Sequence, residues 1–365
     1  MNSTIQKKTG KMLARRIATV TLAVMTTVVS VLPSQVNAAS KNSVKDYLVS
    51  ENNYANTMNT VVEPYINAYK QTGYITGEKN ASLYYEKFIA NNAKGTVVIS
   101  HGLGENLEKY EEMIYYFLNM GYSVYGMEHR GHSRSGRLGI DDTQVHVEKF
   151  DYYLEDLKTF LDEVVVPEAG NDKLYMFAHS MGGGIGTRFL EKYTQYFDAA
   201  ILSAPMHEIN SGKIPPFFAK MLAHGASITS LANKYVAGQG PYEDPYDFAN
   251  GNTTSEARYA RSWQIRQDNE AYQMGGSSYK WLSECFYATE KMTSYSEARK
   301  VKIPVLLFQA GKDTLVEDGG QNKFVRYAKN CKLVRYAYGK HELWNENDEI
   351  LRDYLNKVFN FLGEN

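Results

Sequence analysis

The chain has 365 residues, a formal net charge of −1 and an apolar content of 43%, which is ordinary for a globular protein. This length suits one large α/β domain or two smaller ones and does not decide between them. The sequence has no basic stripe, which excludes a nucleic-acid-binding surface. The 29 tyrosines favour broad amphipathic surfaces or a ligand cleft.

The N-terminus has the pattern of an export signal. A mostly apolar segment over residues 17–32 is followed by small residues at the −3 and −1 positions of a cleavage site, Val36 and Ala38. The basic residues that precede it are Lys7, Lys8, Lys11, Arg15 and Arg16. We therefore predict a signal peptide over residues 1–38 and a secreted or extracytoplasmic protein. An uncleaved anchor is the alternative, although the apolar segment is short for a span of ~20 residues.

Cleavage after Ala38 changes the charge of the protein. Residues 1–38 contain five basic and no acidic residues, so their removal takes the formal net charge from −1 to −6. An acidic protein of this kind offers no polybasic surface to anionic membranes. No cysteine follows Ala38 directly, so the sequence does not support a lipoprotein anchor.

Residues 39–80 are polar and mixed in composition, and they predict a short extension with one helix around 57–69. From residue 82 onward, strand-like apolar runs alternate with helical patterns. The expected strands are 83–88, 96–100, 122–127, 174–177, 199–203, 303–309 and 332–336. The expected helices are 110–118, 150–165, one that begins after Ser180, 319–328 and 350–361. This alternation predicts a mostly parallel sheet with helices on both faces.

The alternation of strands and helices stops after Pro205. Residues 207–296 contain many aromatic residues and few β-branched runs, and they are too long for a loop in a compact domain. We interpret them as an inserted, largely helical cap between two parts of one core, residues 39–206 and 297–365. The aromatic residues either line a ligand cleft or, as we expect for most of them, form the core of the cap itself.

Ser180 stands at a predicted junction between a strand and a helix. The apolar run 174–177 precedes it, small residues follow it, and a helical pattern continues to Leu190. Strand, sharp turn and helix with a serine at the apex is the geometry of a nucleophile elbow. The usual first glycine of the elbow is Ala178 here, which keeps most of the room that the turn needs. The alternative is that Ser180 is only the N-cap of the helix.

Asp313 and His341 occupy the positions at which a serine nucleophile needs its partners, because each follows one of the last two predicted strands. The order serine, acid, histidine predicts that Ser180 attacks a carbonyl carbon, His341 moves the proton and Asp313 orients the imidazole. Taken singly, a loop aspartate is usually a turn former and a lone histidine is usually structural. Glu317 and Asp318 are the competing acids, and we expect them to face solvent.

Backbone N–H groups are the candidate donors to an oxyanion. One belongs to Met181, the residue after the nucleophile. The other lies in the loop after the strand 96–100, where Gly102 and Gly104 let the backbone approach a substrate, and we choose the N–H of Leu103. Losing one such donor typically costs ~3 kcal/mol of transition-state stabilisation. The alternative is that this loop is a plain turn.

The histidines near these segments have structural interpretations. His101 and His179 adjoin the candidate site, and we expect them to brace its loops by hydrogen bonds. His129 and His132 are close enough in sequence to suggest a metal site, but a third ligand is not obvious and serine chemistry needs no metal. A structural polar network is the preferred interpretation, and we predict neither a metal nor a cofactor.

The two cysteines, Cys285 and Cys331, match neither a metal site nor a disulfide-dense scaffold. We expect both to be unpaired residues of the core. A disulfide bridge between them is the alternative, because an exported protein meets oxidising conditions.

Short motifs in this chain resemble those of a known family. They read HGLGE at 101–105, EHRGHSRS at 128–135, HSMGG at 179–183, SAPM at 203–206 and GKD at 311–313, together with Gly275-Gly276, Trp281 and His341-Glu342. On these motifs, residues 73–362 resemble the lysophospholipase L2 and monoacylglycerol lipase branch of the α/β-hydrolases, often grouped with serine aminopeptidases. The departures are Ala178 for the elbow glycine, Glu128 where the family usually has Asp, and Ser133 where it usually has Gly. None of them removes a catalytic atom.

The resemblance implies an α/β-hydrolase fold and hydrolysis of a carboxylic ester of a single-chain lipid, such as a lysophospholipid or a monoacylglycerol. The aromatic cap fits this independently, because an acyl chain gains ~0.8 kcal/mol for each methylene that is buried. We therefore expect a lipid-like ester as the substrate and transient contact of the cap with a membrane surface.

Two other functions stay open. A serine peptidase that releases N-terminal residues needs an acidic pocket for the substrate ammonium group. The cap contains the acidic residues Glu208, Glu243, Asp244, Asp247 and Glu270. A binding protein on a hydrolase fold, without turnover, is the third hypothesis, and the presence of Ser180, Asp313 and His341 argues against it. Acyl length, head group and oligomeric state do not follow from the sequence.

Overall fold

The computed structural model describes residues 43–170 and 172–365. The predicted signal peptide over 1–38, its cleavage site and the alternative of an uncleaved anchor lie outside these residues and stay predictions. In the described part of the chain, no helix is both long and apolar enough to span a bilayer.

The described residues form one mixed sheet of eight strands. The strands are β1 (Lys70–Thr76), β2 (Ser82–Phe88), β3 (Thr96–Ser100), β4 (Ser123–Met127), β5 (Leu174–His179), β6 (Ala199–Ser203), β7 (Val305–Ala310) and β8 (Cys331–Tyr336). Their order across the sheet is β1-β2-β4-β3-β5-β6-β7-β8. β2 pairs antiparallel with β1 and β4, and all the pairs from β4 to β8 are parallel. The sheet is therefore mostly parallel, which confirms the prediction.

The α-helices of the described residues are α1 (Tyr54–Thr57), α2 (Glu63–Asn67), α3 (Glu111–Asn119), α4 (Asp151–Phe160), α5 (Val166–Ala169), α6 (Ser180–Lys192), α7 (Pro216–Ser227), α8 (Glu256–Asp268), α9 (Tyr279–Met292), α10 (Tyr295–Ala298), α11 (Asp318–Tyr327) and α12 (Asp348–Glu364). Wider π-helical turns are Met58–Val62 and Leu161–Val165. Short 3-10 turns are Val44–Asp46, Glu78–Asn80, Glu108–Tyr110, Phe248–Asn250, Glu270–Tyr272 and Leu343–Asn345.

Helices cover both faces of the sheet, because successive side chains of a buried strand point to opposite faces. Every residue of β3 is buried. Val97 packs in a hydrophobic core with side chains of α3 and α12, and its neighbour Val98 packs in a second core with side chains of α4 and α6. A strand with two buried faces reads as a continuous apolar run, and this explains why these strands could be recognised in the sequence.

The connection between β6 and β7 is long and mostly helical. Residues 204–304 contain α7, α8, α9 and α10, and Trp281 and Cys285 of α9 pack into the same core as α6. This is the predicted helical insertion, whose limits at 207–296 stay predictions. Cys285 is buried, Cys331 is partly buried, and both are free thiols.

The N-terminal part differs from the sequence-based prediction. Residues 70–76 form β1, which their polar composition did not predict. β1 is an edge strand with mostly exposed side chains, so it lacks the alternation of apolar and polar residues that marks a half-buried strand. The helical segment before it begins at Tyr54, continues through Met58–Val62 and ends at Asn67, whereas a helix around 57–69 was expected.

Candidate active site

Ser180 lies at the tip of a strained turn between β5 and α6. β5 ends at His179 and α6 begins at Ser180, whose φ of 51° lies in the left-handed region. A residue other than glycine in such a conformation costs of order 1–3 kcal/mol and persists only when its surroundings hold it. Strand, strained turn and helix are the geometry of the predicted elbow.

Glycines let the elbow approach its neighbours closely. A Cβ added at Gly182 would lie 2.2 Å from the carbonyl oxygen of Ser100 and 2.4 Å from that of His101. Further along α6, a Cβ added at Gly186 would lie 2.5 Å from Sδ of Met176 on β5. Gly186 therefore lets α6 pack closely against the strand that leads to the elbow.

The structure brings His341 and Asp313 together. Nδ1 of His341 lies 2.6 Å from Oδ2 of Asp313. Oδ1 of Asp313 accepts from the backbone N–H groups of Leu315 and Val316 at 2.9 and 3.0 Å. Burial raises the pKa of Asp313, but the contact with His341 and the two N–H groups outweigh it and hold the pKa below its ordinary value. Asp313 is therefore ionised and keeps a proton on Nδ1 of the imidazole.

The other ring nitrogen of His341, Nε2, is buried and has no hydrogen-bond partner among the described residues. His341 and Ser180 are only 3% and 8% exposed. Ser180 is therefore not hydrogen-bonded to His341 in this structure. Such catalytic hydrogen bonds are often long in a free enzyme and tighten when substrate binds. A buried nitrogen without a partner is costly, so the open position suits a proton acceptor.

Other acidic residues singled out in the sequence lie outside this arrangement. Glu317 is exposed, and Asp318 forms an ion pair with Arg335. In the cap, Asp244 is paired with Arg266 at 2.7 Å, so its charge is already matched. The geometry therefore assigns Asp313 to the histidine.

Both predicted oxyanion donors lie beside the elbow. The N–H of Leu103 makes no hydrogen bond to another described residue, and its side chain is exposed. Met181 lies in the first turn of α6, where N–H groups have no intrahelical acceptor. Through Gly182, the start of α6 packs directly on the carbonyl groups of Ser100 and His101, just before the loop that carries Leu103. Their roles as donors stay predictions.

Three histidines pack together beside this loop. The ring of His101 lies 4.4 Å from that of His129 and 5.6 Å from that of His132. His101 is 2.8 Å from the carbonyl of Gly102 and accepts the N–H of His129, so it braces the loop. Burial lowers the pKa of all three rings, that of His132 to about 3. Over the described residues, no group of three or more metal-ligating side chains is arranged to hold an ion.

Two departures from the family pattern make contacts of their own. Ser133 has a φ of 47°, which suits the usual glycine, and its hydroxyl donates to the carbonyl of Glu105 at 3.0 Å. Glu128 accepts the N–H of Leu107 at 3.2 Å and pairs with Arg134. Both residues hold the segment 105–107 in place, and this segment continues the loop that carries the predicted oxyanion donor.

The sequence patterns did not reveal a buried ionic cluster at this site. Lys109 lies between Glu105 and Glu342, with N–O distances of 2.8 and 2.7 Å. The spacing of Glu105 and Lys109 and the position of Glu342 directly after His341 are visible in the sequence. Only the fold shows that the two segments meet.

Comparison with known proteins agrees with this geometry. A family described as serine aminopeptidase, S33, matches residues 91–348. The chain belongs to this S33 family. Lysophospholipase L2 of Escherichia coli strain K12 is 31% identical to it over 298 residues, which cover 79% of this chain and 86% of the relative. The probable lysophospholipase L2 of Haemophilus influenzae is 27% identical over 80% of this chain and 92% of the relative.

A solved structure shares the fold of this S33 family member. A soluble variant of monoglyceride lipase from Saccharomyces cerevisiae superposes with a TM-score of 0.66 at 18% identity, over 81% of this chain and 94% of that one. The α/β-hydrolase fold and the resemblance to the lysophospholipase L2 and monoacylglycerol lipase branch are thereby confirmed. The chain is a serine ester hydrolase of this branch.

Proposed function

We propose that the chain hydrolyses carboxylic esters of single-chain lipids, such as lysophospholipids or monoacylglycerols, through an acyl-enzyme on Ser180. The observation that carries the chemistry is the hydrogen bond of 2.6 Å between His341 and Asp313, with Nε2 of His341 buried and without a partner among the described residues. The substrate class is supported by the relatives named lysophospholipase L2 and by the monoglyceride lipase of the same fold.

The first half of the reaction forms a bond between Oγ of Ser180 and the carbonyl carbon of the ester. His341 takes the Ser180 proton on Nε2 and gives it to the alcohol oxygen when the C–O bond breaks. Asp313 stabilises the imidazolium that forms in between. The N–H groups of Leu103 and Met181 donate to the oxyanion of the tetrahedral intermediate.

Water completes the cycle. His341 takes a proton from a water molecule, whose oxygen attacks the acyl carbon. The bond to Ser180 then breaks, His341 returns the proton to Oγ, and the fatty acid leaves. The same two N–H groups serve the oxyanion of this second intermediate, so one site performs both halves.

Release of N-terminal amino acids is the alternative reaction, and it needs an unpaired carboxylate for the substrate ammonium group. Asp244 of the cap is paired with Arg266, and Asp247 accepts from the side-chain amide of Asn250. These contacts occupy two of the five acidic residues of the cap that were singled out in the sequence. Since the same nucleophile serves both reactions, parallel assays are needed to separate them.

Labelling and parallel assays test the proposed reaction. We expect the wild-type protein to react with a fluorophosphonate and to release fatty acid from a lysophospholipid or a monoacylglycerol, whereas Ser180→Ala does neither. Ser230→Ala changes an exposed serine of the cap and should retain both properties. Faster cleavage of aminoacyl amides than of either lipid would replace the ester proposal. Failure of the wild-type protein to react with the fluorophosphonate would overturn the proposal that it is an enzyme.

We further propose that the cap contacts a lipid surface through α7. The helix buries the small residues Ala223 and Ala226, and its other side carries exposed apolar side chains. This α7 stripe consists of Phe217, Phe218, Met221 and Leu222 of the helix, with Ile214 before it and Ile228 directly after it. Spacings of three and four residues place such side chains on one helical face. Their insertion among acyl chains removes apolar area from water, which stabilises the contact.

The segment that leads to the α7 stripe contacts the loop of Asp313. The N–H of Asn210, four residues before Ile214, donates to the carbonyl of Leu315 at 3.0 Å, two residues beyond Asp313. We therefore expect a lipid surface against the stripe to approach the loop that holds the acid. This arrangement suits an enzyme that takes single-chain lipids directly from a surface.

Sedimentation with vesicles of neutral phosphatidylcholine tests the lipid contact. We expect the wild-type protein to bind, and the double variant Phe217→Ser, Phe218→Ser to bind about 10-fold less, because two aromatic side chains no longer insert. The control is Tyr74→Ser, which removes an exposed aromatic residue of β1. Equal binding by the double variant and the control would contradict the role of the stripe.

We also propose that the protein acts outside the cytoplasm after loss of residues 1–38. The order of basic, apolar and small residues in this segment supports the proposal. The measurement is the N-terminal sequence of protein recovered from separate cell fractions and from the medium. We expect an N-terminus at Ala39. Full-length protein in a membrane fraction would support the anchor instead, and full-length protein in the cytoplasm would contradict export.

A further inference from the structure

Lys109 is a buried lysine between two buried carboxylates. Its Nζ lies 2.8 Å from Oε1 of Glu105 and 2.7 Å from Oε1 of Glu342, and the three side chains are 8%, 7% and 11% exposed. Lysine is almost never fully buried unless it is paired. Burial lowers the pKa of Lys109, but the two carboxylates outweigh this effect and raise it, so the ammonium group stays charged.

Each carboxylate belongs to a different loop of the candidate site. Glu105 ends the loop of residues 101–105, the oxyanion loop, and its Oε2 accepts the N–H of Gly102 at 2.6 Å. Glu342 directly follows His341 in the loop that presents the imidazole, the histidine loop. The ammonium group between the two carboxylates therefore ties the oxyanion loop to the histidine loop.

Aromatic rings connect this cluster to the imidazole of His341. The ring of Trp344 lies 5.5 Å from Nζ of Lys109 and stacks on Tyr110 with centroids 4.2 Å apart. The ring of His179 lies 4.7 Å from that of His341 and meets Trp344 edge-on at 5.8 Å. A movement of the ammonium group would thus reach rings that contact His341.

Removal of the ammonium group would leave two carboxylates facing each other in a buried place. Burial raises the pKa of Glu105 and of Glu342, but Lys109 outweighs this and holds both pKa values below their ordinary range. Without it, the two like charges repel, which disfavours their ionised forms and separates the loops. The lysine therefore opposes a repulsion that acts between the two halves of the site.

We propose that Lys109 is a positioning residue that sets the distance between the oxyanion donor of Leu103 and the imidazole of His341. The proposal rests on the proposed hydrolysis at Ser180. A displacement of about 1 Å at a catalytic group can cost about 100-fold in rate. Because both carboxylates are almost buried and already paired with Lys109, we expect a small substrate to contact neither, so the loss falls on kcat and not on KM.

Steady-state kinetics with a soluble short-chain nitrophenyl ester test the proposal. We expect Lys109→Met to lower kcat by about 100-fold while KM stays within about threefold of the wild-type value. Lys109→Arg keeps the charge and should recover kcat to within about tenfold of wild type. The matched control is Lys158→Met, which removes a lysine of α4 from its ion pair with Asp162 and should leave kcat unchanged.

A double variant separates positioning from a general loss of stability. If the lysine acts by opposing this repulsion, then Lys109→Met combined with Glu342→Gln has a kcat equal to or above that of Lys109→Met alone, because the bridge is already broken and one of the two repelling charges is gone. If the double variant loses kcat by the product of the two factors that the single substitutions cost, the proposal is contradicted. A kcat for Lys109→Met within about twofold of wild type overturns it.

A second variant keeps the proposal testable if Lys109→Met does not fold. The single variant Glu342→Gln is then measured, and it should lower kcat by about tenfold, since it weakens the bond between Lys109 and the histidine loop. An unchanged kcat in this variant overturns the positioning role. Failure of the wild-type protein itself to hydrolyse the ester or to label with a fluorophosphonate is a different result, because it removes the proposed function first.

Discussion

Ser180 combines a reactive side chain with a backbone conformation that glycine adopts more easily, because its φ is 51°. Both Ser180→Gly and Ser180→Ala remove the nucleophile. We expect the free energy of unfolding of the glycine variant to exceed that of the alanine variant by about 1 kcal/mol, since glycine has no Cβ to resist a positive φ. Urea unfolding followed by circular dichroism measures the difference. An alanine variant as stable as the glycine variant would show that the turn is not strained.

The carboxylate of Asp313 gives a second prediction at the scale of the residue. In Asp313→Asn the side chain no longer holds the proton on Nδ1 of His341 and no longer stabilises the imidazolium. We expect kcat to fall by about 10⁴-fold with little change in KM. Asp318→Asn, which removes the partner of Arg335, serves as the control and should retain activity. A loss below about tenfold for Asp313→Asn would mean that another group orients His341.

The elbow and the cap helix differ in how much space their glycines have. Gly182→Ala would place a Cβ 2.2 Å from the carbonyl oxygen of Ser100, and two rigid backbone segments meet there. We expect this variant to lose about 3 kcal/mol of stability or to be recovered unfolded. Gly225→Ala on α7 meets nothing within 4 Å, so it should gain about 0.5–1 kcal/mol from reduced backbone freedom of the unfolded chain.

Thermal unfolding of the two glycine variants measures this contrast. The comparison is internal, because both substitutions add one methyl group to a helix. Destabilisation by Gly225→Ala, or full stability of Gly182→Ala, would contradict the close packing of the elbow on β3.

At the scale of elements, the strands that could be predicted are those buried on both faces. Val97 and Val98 show the reason, since each contacts a different core and the whole of β3 reads as apolar. β1 could not be predicted, because its side chains are mostly exposed and only its pairing with β2 makes it a strand.

The residues of the site likewise divide into those that the sequence pattern reveals and those that only the fold shows. Ser180, Asp313 and His341 could be singled out, because each follows a recognisable strand and the order of the three is informative. The bridge from Lys109 to Glu342 could not, because it joins residues that are far apart in sequence, and nothing in either segment signals its partner. The depressed pKa of Asp313 likewise depends on contacts that only the fold creates.

At the scale of the whole molecule, buried histidines make the free energy of unfolding depend on pH. Burial is the leading cause that lowers the pKa of His101, His129, His132, His146, His179 and His207. In the unfolded chain these rings take up protons near pH 6.5, about their ordinary pKa. Below that pH the unfolded state therefore binds more protons than the folded state, and the folded state loses stability as the pH falls.

Three buried carboxyl groups act in the opposite direction. Burial raises the pKa of Glu111 to about 7 and that of Glu191 to about 8, and it also raises the pKa of Asp156. A carboxyl group whose folded pKa is raised binds its proton first in the folded state, so it adds stability as the pH falls towards its ordinary pKa. The six histidines outnumber these three groups, and their effect should dominate between pH 6.5 and 5.

We therefore expect the free energy of unfolding to decrease from pH 6.5 to pH 5. Each net proton is worth about 1.4 kcal/mol per pH unit. Urea unfolding at a series of pH values measures the slope. His207→Gln, which removes one buried ring, should reduce the slope, whereas His224→Gln on the exposed side of α7 should not. Stability that is constant or rises over this range would contradict the burial of these rings as neutral groups.

The α7 stripe also governs how the protein behaves when no lipid is present. In water, Phe217, Phe218 and Leu222 are exposed, and the two phenylalanine rings contact each other edge-on with centroids 5.6 Å apart. Two copies can cover their stripes against each other, so self-association grows with protein concentration and is reversed by detergent. Gel filtration over a range of dilutions should show this shift. A concentrated stock then holds fewer accessible cap surfaces per molecule than a dilute one, and activity per molecule on vesicles rises as the stock is diluted.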